Sequence, residues 1–156
     1  MANSFYVWLK SRANAPVWST TKNSAARISF DLPVSEVNRA VGWEAAVVSL
    51  TTTLIFGVPR GEEQKTNLTV LCNFVNPSLI GAQFANTLGI FELKNDGGKV
   101  HTHHATNRLY FTVNEWFTAG QCEVRLFDED INSALNDDPL ADTRVCLHFR
   151  TVSRQL

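Results

Sequence analysis

Apolar and polar residues alternate with a period of two along most of the chain. In the segment around Ser29, for example, Ile28 and Phe30 fall on one face of an extended chain and Ser29 on the other. Because successive side chains of a β-strand point to opposite faces, this period predicts half-buried strands. Eight segments show it: residues 4–10, 25–33, 42–52, 67–75, 86–94, 108–113, 121–128 and 143–150. No segment keeps a helical period over three turns.

Three stretches depart from simple alternation. Residues 42–52 are almost continuously apolar from Trp43 to Leu50, which predicts a strand covered on both faces. Residues 35–41 and 76–81 have weak helical character, the second because Pro77 suits a first helical position. The run Asn-Asp-Gly-Gly at 95–98 tolerates positive φ and therefore favours a hairpin turn.

Short strands at this spacing predict an all-β fold. We expect a single jelly-roll sandwich of about eight antiparallel strands in two four-stranded sheets. An immunoglobulin-type sandwich is the alternative, but the chain lacks its Cys-Trp-Cys spacing. The 156 residues match one domain spanning 1–156, and neither an internal repeat nor a linker is evident.

Charge and hydropathy exclude some classes of function. Fourteen Lys and Arg against fifteen Asp and Glu give a net charge of -1 without a basic run, which argues against strong nucleic-acid binding. No apolar stretch approaches the roughly 20 residues of a membrane helix, so we expect no membrane span. The first residues lack the basic-then-apolar plan of a secretory signal, which favours an intracellular origin.

The three cysteines are Cys72, Cys122 and Cys146. They lie far apart, and each falls in an apolar alternating segment. We therefore expect small buried hydrophobic residues rather than disulfides or zinc ligands.

The strongest candidate for chemistry is the stretch KVHTHHA at residues 99–105. On a strand, His101 and His103 share a face and His104 points the opposite way. Two histidines on one face could bind a metal ion with a third ligand from elsewhere.

Enzymes of the cupin type use such a pair, but the surrounding motif is incomplete here. That motif has a glycine six residues before the first histidine and a glutamate four or five residues after the second. Asn95 replaces the glycine, and Asn107 and Arg108 occupy the glutamate positions. We expect a polar strand edge or loop with exposed imidazoles, no cofactor and no enzyme; a cupin-like metal site at His101 and His103 is the alternative.

Four longer segments, taken in order, carry a family resemblance. Residues 4–33 (SFYVWLK to ISFDLP) hold a short strand, a serine- and asparagine-containing turn and a strand ending in Leu-Pro. They are followed by GWEAAVVSLTT (42–52), by NLTVLCNFVNPSLIGAQFANTLGIFEL (67–93) and by CEVRLFDEDINSALNDDPLADTRVCLHFR (122–150). Together they resemble the penton proteins of polintons, virophages and adintovirus-like DNA viruses over nearly the full chain.

This resemblance implies a structural role in a virus particle. It implies a single jelly-roll subunit that forms a homopentamer at the fivefold vertices of an icosahedral capsid, beside a double jelly-roll major capsid protein. Minor capsid proteins are further candidate partners, and the chain would be found in the virion after assembly inside the host cell. The alternative within this class is a minor capsid or cement protein. A binding module such as a lectin would predict a signal peptide or disulfides, and the sequence offers neither.

A closed ring of five copies needs one surface patch that meets a different patch on the next copy, usually with aromatic anchors. Trp8, Trp18 and Trp116 lie on or beside strand ends or loops, and Trp8 faces away from the apolar side chains of its strand. His148 and Arg150 lie on the polar face of the last strand, which neighbours the first strand in a jelly roll. These five residues are the candidate subunit interface; the alternative is that the tryptophans close the ends of the sandwich.

Overall fold

The computed structural model describes residues 4–11, 24–31, 42–54, 65–95, 100–114, 121–128 and 141–152. Within these ranges the chain forms eleven β-strands and no helix, which confirms the predicted all-β class. The strands are β1 (Ser4–Lys10), β2 (Arg27–Asp31), β3 (Gly42–Thr52), β4 (Lys65–Cys72), β5 (Ser78–Ile80), β6 (Gln83–Ala85), β7 (Thr87–Asn95), β8 (His101–His104), β9 (Phe111–Thr112), β10 (Gln121–Asp128) and β11 (Thr143–Val152).

The strand order is that of a jelly roll. One half runs β1-β11-β3-β8 and the other runs β7-β4-β10-β2, with antiparallel pairing throughout. A short antiparallel pairing of β7 with β8 joins the halves on one side, and β1 approaches β2 on the other. The result is a nearly closed, barrel-like sandwich, and the short strand β9 adds to β3.

A single core fills the space between the two halves. Phe74 lies at its centre, with its ring 5.9 Å from that of Phe30 and 5.7 Å from that of Phe149. Leu50 and Val70, from opposite halves, are fully buried beside them. Each such large side chain removed from water contributes about 1.5–3 kcal/mol, so the inward face of every strand helps to hold the halves together.

The first strand follows its sequence pattern closely. Phe5, Val7 and Leu9 point toward the core, and Tyr6 and Trp8 point outward. β1 lies at the end of its sheet and pairs only with β11 in the described part of the chain. Its outward side chains therefore form an accessible surface.

The long strand β3 is covered on both faces, as predicted. Trp43 and Val47 point into the core, and Ala46 on the other face is also buried. The register against β11 shifts at Val48, which is the extra residue of a β-bulge. A bulge moves the alternation by one position, so that Leu50 again points inward.

The helix expected around Leu79 is wrong. Residues 78–85 form the β5–β6 hairpin, a separate two-stranded sheet in which Leu79 pairs with Phe84. Gly81 occupies the turn with φ of 59°, a conformation that glycine adopts without strain. The positive φ turns the chain back after three residues, and this outweighs the helical preference of Pro77. The other weak helical stretch, 35–41, lies outside the described residues.

The histidine segment also differs from expectation. Instead of a strand edge or loop, it forms β8, an interior strand between β3 and β7. His104 is exposed, whereas His101 and His103 are half-buried. The pairing of Asn95 with His101 agrees with the hairpin predicted at 95–98, of which residues 96–98 lie outside the described ranges. Because β8 joins the two halves of the sandwich, the backbone of this polar stretch is paired with a strand on each side.

Candidate functional site

The most distinctive surface of the molecule is the outer face of β1 and β11. Register places Tyr6 opposite His148 and Trp8 opposite Cys146, so these side chains share one face. The segment at residues 105–110 crosses this face and contributes Arg108 and Tyr110. We call the group the outer aromatic surface, and its members are Tyr6, Trp8, Arg108, Tyr110, His148 and Arg150.

Trp8 and Tyr6 are the solvent-facing part of this surface. Trp8 is 67% exposed and Tyr6 is 49% exposed. Their rings stack with centroids 6.5 Å apart and an interplanar angle of 27°. The outward direction predicted for Trp8 is confirmed. Two adjacent, stacked aromatic rings in water form a rigid apolar area of the kind that interfaces cover.

His148 lies on the same face but is only 8% exposed. The ring of Tyr6 covers it from β1 at 4.6 Å, and the Tyr110 hydroxyl lies 2.7 Å from its Nδ1. Burial, together with the positive charges of Arg108 and Arg150, lowers the pKa of His148 below its usual value of 6.5. The imidazole is therefore neutral at physiological pH.

Arg150 is engaged within its own chain. It forms an ion pair with Glu44, its register partner on β3. Its guanidinium also lies 3.4 Å from the ring centroid of Tyr110, which is a cation–π contact. Arg150 therefore covers the ring of Tyr110 and helps to hold it on the outer face.

Arg108 binds the exposed part of the surface together. Its Nη1 donates a hydrogen bond of 3.2 Å to the Tyr6 hydroxyl, and its guanidinium lies 5.5 Å from the centre of that ring. The next residue, Leu109, is 65% exposed. Segment 105–110 is tied to β3 by a bond of 3.0 Å from the Ala105 amide to the Val48 carbonyl.

Sequence reasoning found Trp8, His148 and Arg150 but missed three members of this surface. Tyr6 and Tyr110 are the two tyrosines of the chain, and both contact His148. Tyr6 could have been found, because it lies two residues before Trp8 on a strand. No local signal pointed to Tyr110 or Arg108, since a loop brings them across the sheet.

Two of the predicted interface residues, Trp18 and Trp116, lie outside the described residues.

A second exposed apolar area lies on the β5–β6 hairpin. Leu79 is 60% exposed and Phe84 is 76% exposed, and they face each other across the two strands. We call this pair the hairpin surface. Two large apolar side chains that are both exposed on one hairpin form a candidate contact surface.

A shallow cavity of about 350 Å³ lies beside this hairpin. Its polar groups already have partners in the protein: Asn73 Oδ1 accepts from the Glu123 amide at 2.8 Å, and Asn86 donates to the Val75 carbonyl at 2.7 Å. The Glu123 carboxylate pairs with Arg27 and Arg125. The polar groups that line this cavity are therefore bonded to other groups of the protein.

The histidine pair on β8 faces the core side of the sheet. His103 is the register partner of the buried Leu50, and His101 is the partner of the buried Thr52. His103 packs against Phe91 with ring centroids 4.8 Å apart, and burial lowers the pKa of His101. In the described ranges, no three His, Cys, Asp or Glu side chains come together as a metal site would need.

The cysteines are free and buried, as their apolar surroundings predicted. Burial raises the pKa of the Cys72 thiol to about 11 and raises those of Cys122 and Cys146 as well. Such thiols stay protonated and are poor nucleophiles.

Comparison with models of known protein families gives no match, and comparison with curated proteins gives none either. Across the described strands and loops there is no helix of the length and hydropathy that a membrane span requires.

Proposed function

We propose that this chain is a structural virion protein, a penton subunit that forms a homopentamer at the fivefold vertices of an icosahedral capsid. The jelly-roll fold supports this proposal, because viral shells are often built from such sandwiches. The four segments that resemble penton proteins contribute seven of the eight principal strands. No catalytic role is part of the proposal.

The observation that carries the proposal is the exposure of Trp8 beside Tyr6 on the outer face of β1. Interfaces are enriched in Trp, Tyr and Arg, and all three types are adjacent here through Arg108. The aromatic rings lie on a strand at the end of its sheet. A second copy of the chain can therefore reach them without disturbing the core.

The hairpin surface adds the second element that a ring requires. A ring closes through heterologous contacts, in which one patch meets a different patch on the next copy. The outer aromatic surface and the hairpin surface are two separate apolar areas on one chain. Contact between them would cover Trp8 and Phe84 together.

The partners and location follow from the resemblance. A pentameric vertex would be surrounded by a double jelly-roll major capsid protein, with minor capsid proteins as further contacts. The protein would belong to the virion and assemble inside the host cell. The net charge of -1 agrees with protein partners rather than nucleic acid.

The mass of the purified chain in native conditions tests the proposal. We expect an assembly of five chains of 17.4 kDa each. Trp8→Ser should weaken each contact by about 2 kcal/mol or more and shift the mass toward the monomer. The monomer itself should remain folded, because the side chain is exposed and makes no part of the core.

Ile90→Ser is the matched control, since it also removes an exposed apolar side chain from a strand of this protein. We expect this variant to assemble like the wild type. A chain that stays monomeric at high concentration, or a Trp8→Ser variant that assembles like the wild type, contradicts the proposal. A monomer would favour a minor capsid or cement protein.

A further inference from the structure

His148 lies on the outer face of β11, where neighbouring parts of the fold enclose it from three directions. Tyr6 covers it from β1, and Tyr110 covers it from segment 105–110. Ala46 lies opposite it on β3. Burial removes water from a titratable side chain and therefore makes its charged form unfavourable.

We propose that His148 is an acid-sensitive lock: in its neutral form it holds segment 105–110 against the outer face, and its protonation releases that segment. The device is built from Tyr110 and Arg108 on the segment, together with Tyr6 on β1.

The hydrogen bond between Tyr110 and His148 is the first part of the device. The Tyr110 hydroxyl lies 2.7 Å from Nδ1 of His148. When the neutral imidazole carries its hydrogen on Nε2, Nδ1 is an acceptor and the Tyr110 hydroxyl donates to it. A protonated Nδ1 carries a hydrogen and cannot accept, so acid removes this bond in its present form.

The surrounding charges are the second part. Arg108 approaches from the segment, and Arg150 lies two residues away on β11. From β3 the nearby charged group is Glu44, which is already paired with Arg150. An imidazolium would thus become a buried positive charge beside two exposed guanidinium groups, and the segment that carries Arg108 can relieve the repulsion by moving away.

The direction of the pH effect follows from the lowered pKa of His148. The unfolded chain binds a proton near pH 6.5, whereas the folded chain does so only at lower pH. The stabilisation from neutral His148 is complete above pH 6.5 and is lost as the pH falls through 6.5 toward the folded value.

Hydrogen exchange of the full chain tests the lock. Amide exchange in segment 105–110 is measured near pH 7.5 and near pH 5, each corrected for the intrinsic effect of pH on exchange. We expect protection of this segment to fall about tenfold or more at the lower pH, while β4 and β10 keep theirs. Equal protection of the segment at both values would overturn the inference.

His148→Asn keeps an acceptor near the position of Nδ1 but cannot be protonated. This variant should hold the segment equally well at both pH values, and His104→Asn, at an exposed position on β8, should respond like the wild type. A pH response that persists in His148→Asn rejects the lock.

If His148→Asn does not fold, Arg108→Gln provides the test. Removing this positive charge should raise the pKa of His148, which NMR can measure. The pH at which the segment is released should rise by the same interval. A release midpoint that does not follow the pKa of His148 would also reject the lock. The same measurements on the Trp8→Ser variant, which the penton proposal expects to be largely monomeric, let the lock fail or hold independently of pentamer formation.

Discussion

At the scale of single residues, two buried threonine hydroxyls form a hydrogen-bonded chain in the core. The Leu54 amide donates to Thr52 Oγ1 at 3.1 Å, and Thr143 Oγ1 donates to the Ala25 carbonyl at 2.6 Å. The two threonine oxygens are 2.8 Å apart, so Thr52 donates its proton to Thr143. Both threonines are fully buried, and each bond depends on the next.

Thr143→Val should therefore be costly although it preserves the shape of the side chain. It removes the acceptor of the Thr52 proton and the donor to the Ala25 carbonyl, and neither group can reach water. We expect a loss of about 2–3 kcal/mol in the free energy of unfolding, measured with urea. Thr143→Ser keeps the hydroxyl and should lose about 1 kcal/mol or less. Equal losses in the two variants would show that the hydroxyl chain contributes nothing.

At the scale of elements, two glycines with positive φ have different consequences. Gly89 lies in β7 with φ of 123°, beside a register shift against β4, and a Cβ there would meet the Phe91 ring at 3.1 Å. Gly81, in the β5–β6 turn, has φ of 59° and open space around it. The strand position therefore adds a packing conflict to backbone strain, while the turn position has strain alone.

Gly89→Ala should destabilise the protein by about 2 kcal/mol or more, because φ of this kind is nearly restricted to glycine and the Phe91 ring must also move. Gly81→Ala should cost about 1–2 kcal/mol from backbone strain alone, in a hairpin outside the main sheet. Thermal unfolding of the two variants gives the comparison. A Gly81→Ala variant less stable than Gly89→Ala would mean that the hairpin supports the core more than its pairing indicates.

The elements also explain what sequence reasoning could reach. Alternation was sufficient to assign the faces of β1 and the burial of the cysteines, because a regular strand has only two faces. It could not find the bulge at Val48, where one inserted residue changes the inward positions. It also misread residues 78–80, since a strand of three residues is too short to show a period. The cluster around His148 depends on a loop, and loop paths have no such pattern.

At the scale of the whole molecule, the jelly roll brings together residues that are far apart in the chain. β1 and β11 are neighbours, so Tyr6 packs on His148, and segment 105–110 then crosses both strands. The hairpin surface belongs to an insertion between β4 and β7, in the other half of the sandwich. The fold thus separates the two exposed apolar areas, which is the arrangement that head-to-tail association of copies requires.

Mixing two variants distinguishes head-to-tail contacts from symmetric ones. Trp8→Ser keeps an intact hairpin surface and Phe84→Ser keeps an intact outer aromatic surface, so each alone should be largely monomeric. When the two variants are mixed, the hairpin surface of Trp8→Ser can still meet the outer aromatic surface of Phe84→Ser. Native mass spectrometry should therefore detect a heterodimer, which cannot grow into a ring because its two remaining surfaces are both altered. If Trp8 instead met its own copy across a twofold axis, Phe84→Ser would assemble like the wild type and mixing would rescue nothing. Ile90→Ser should assemble like the wild type in either case, because its exposed side chain belongs to neither surface.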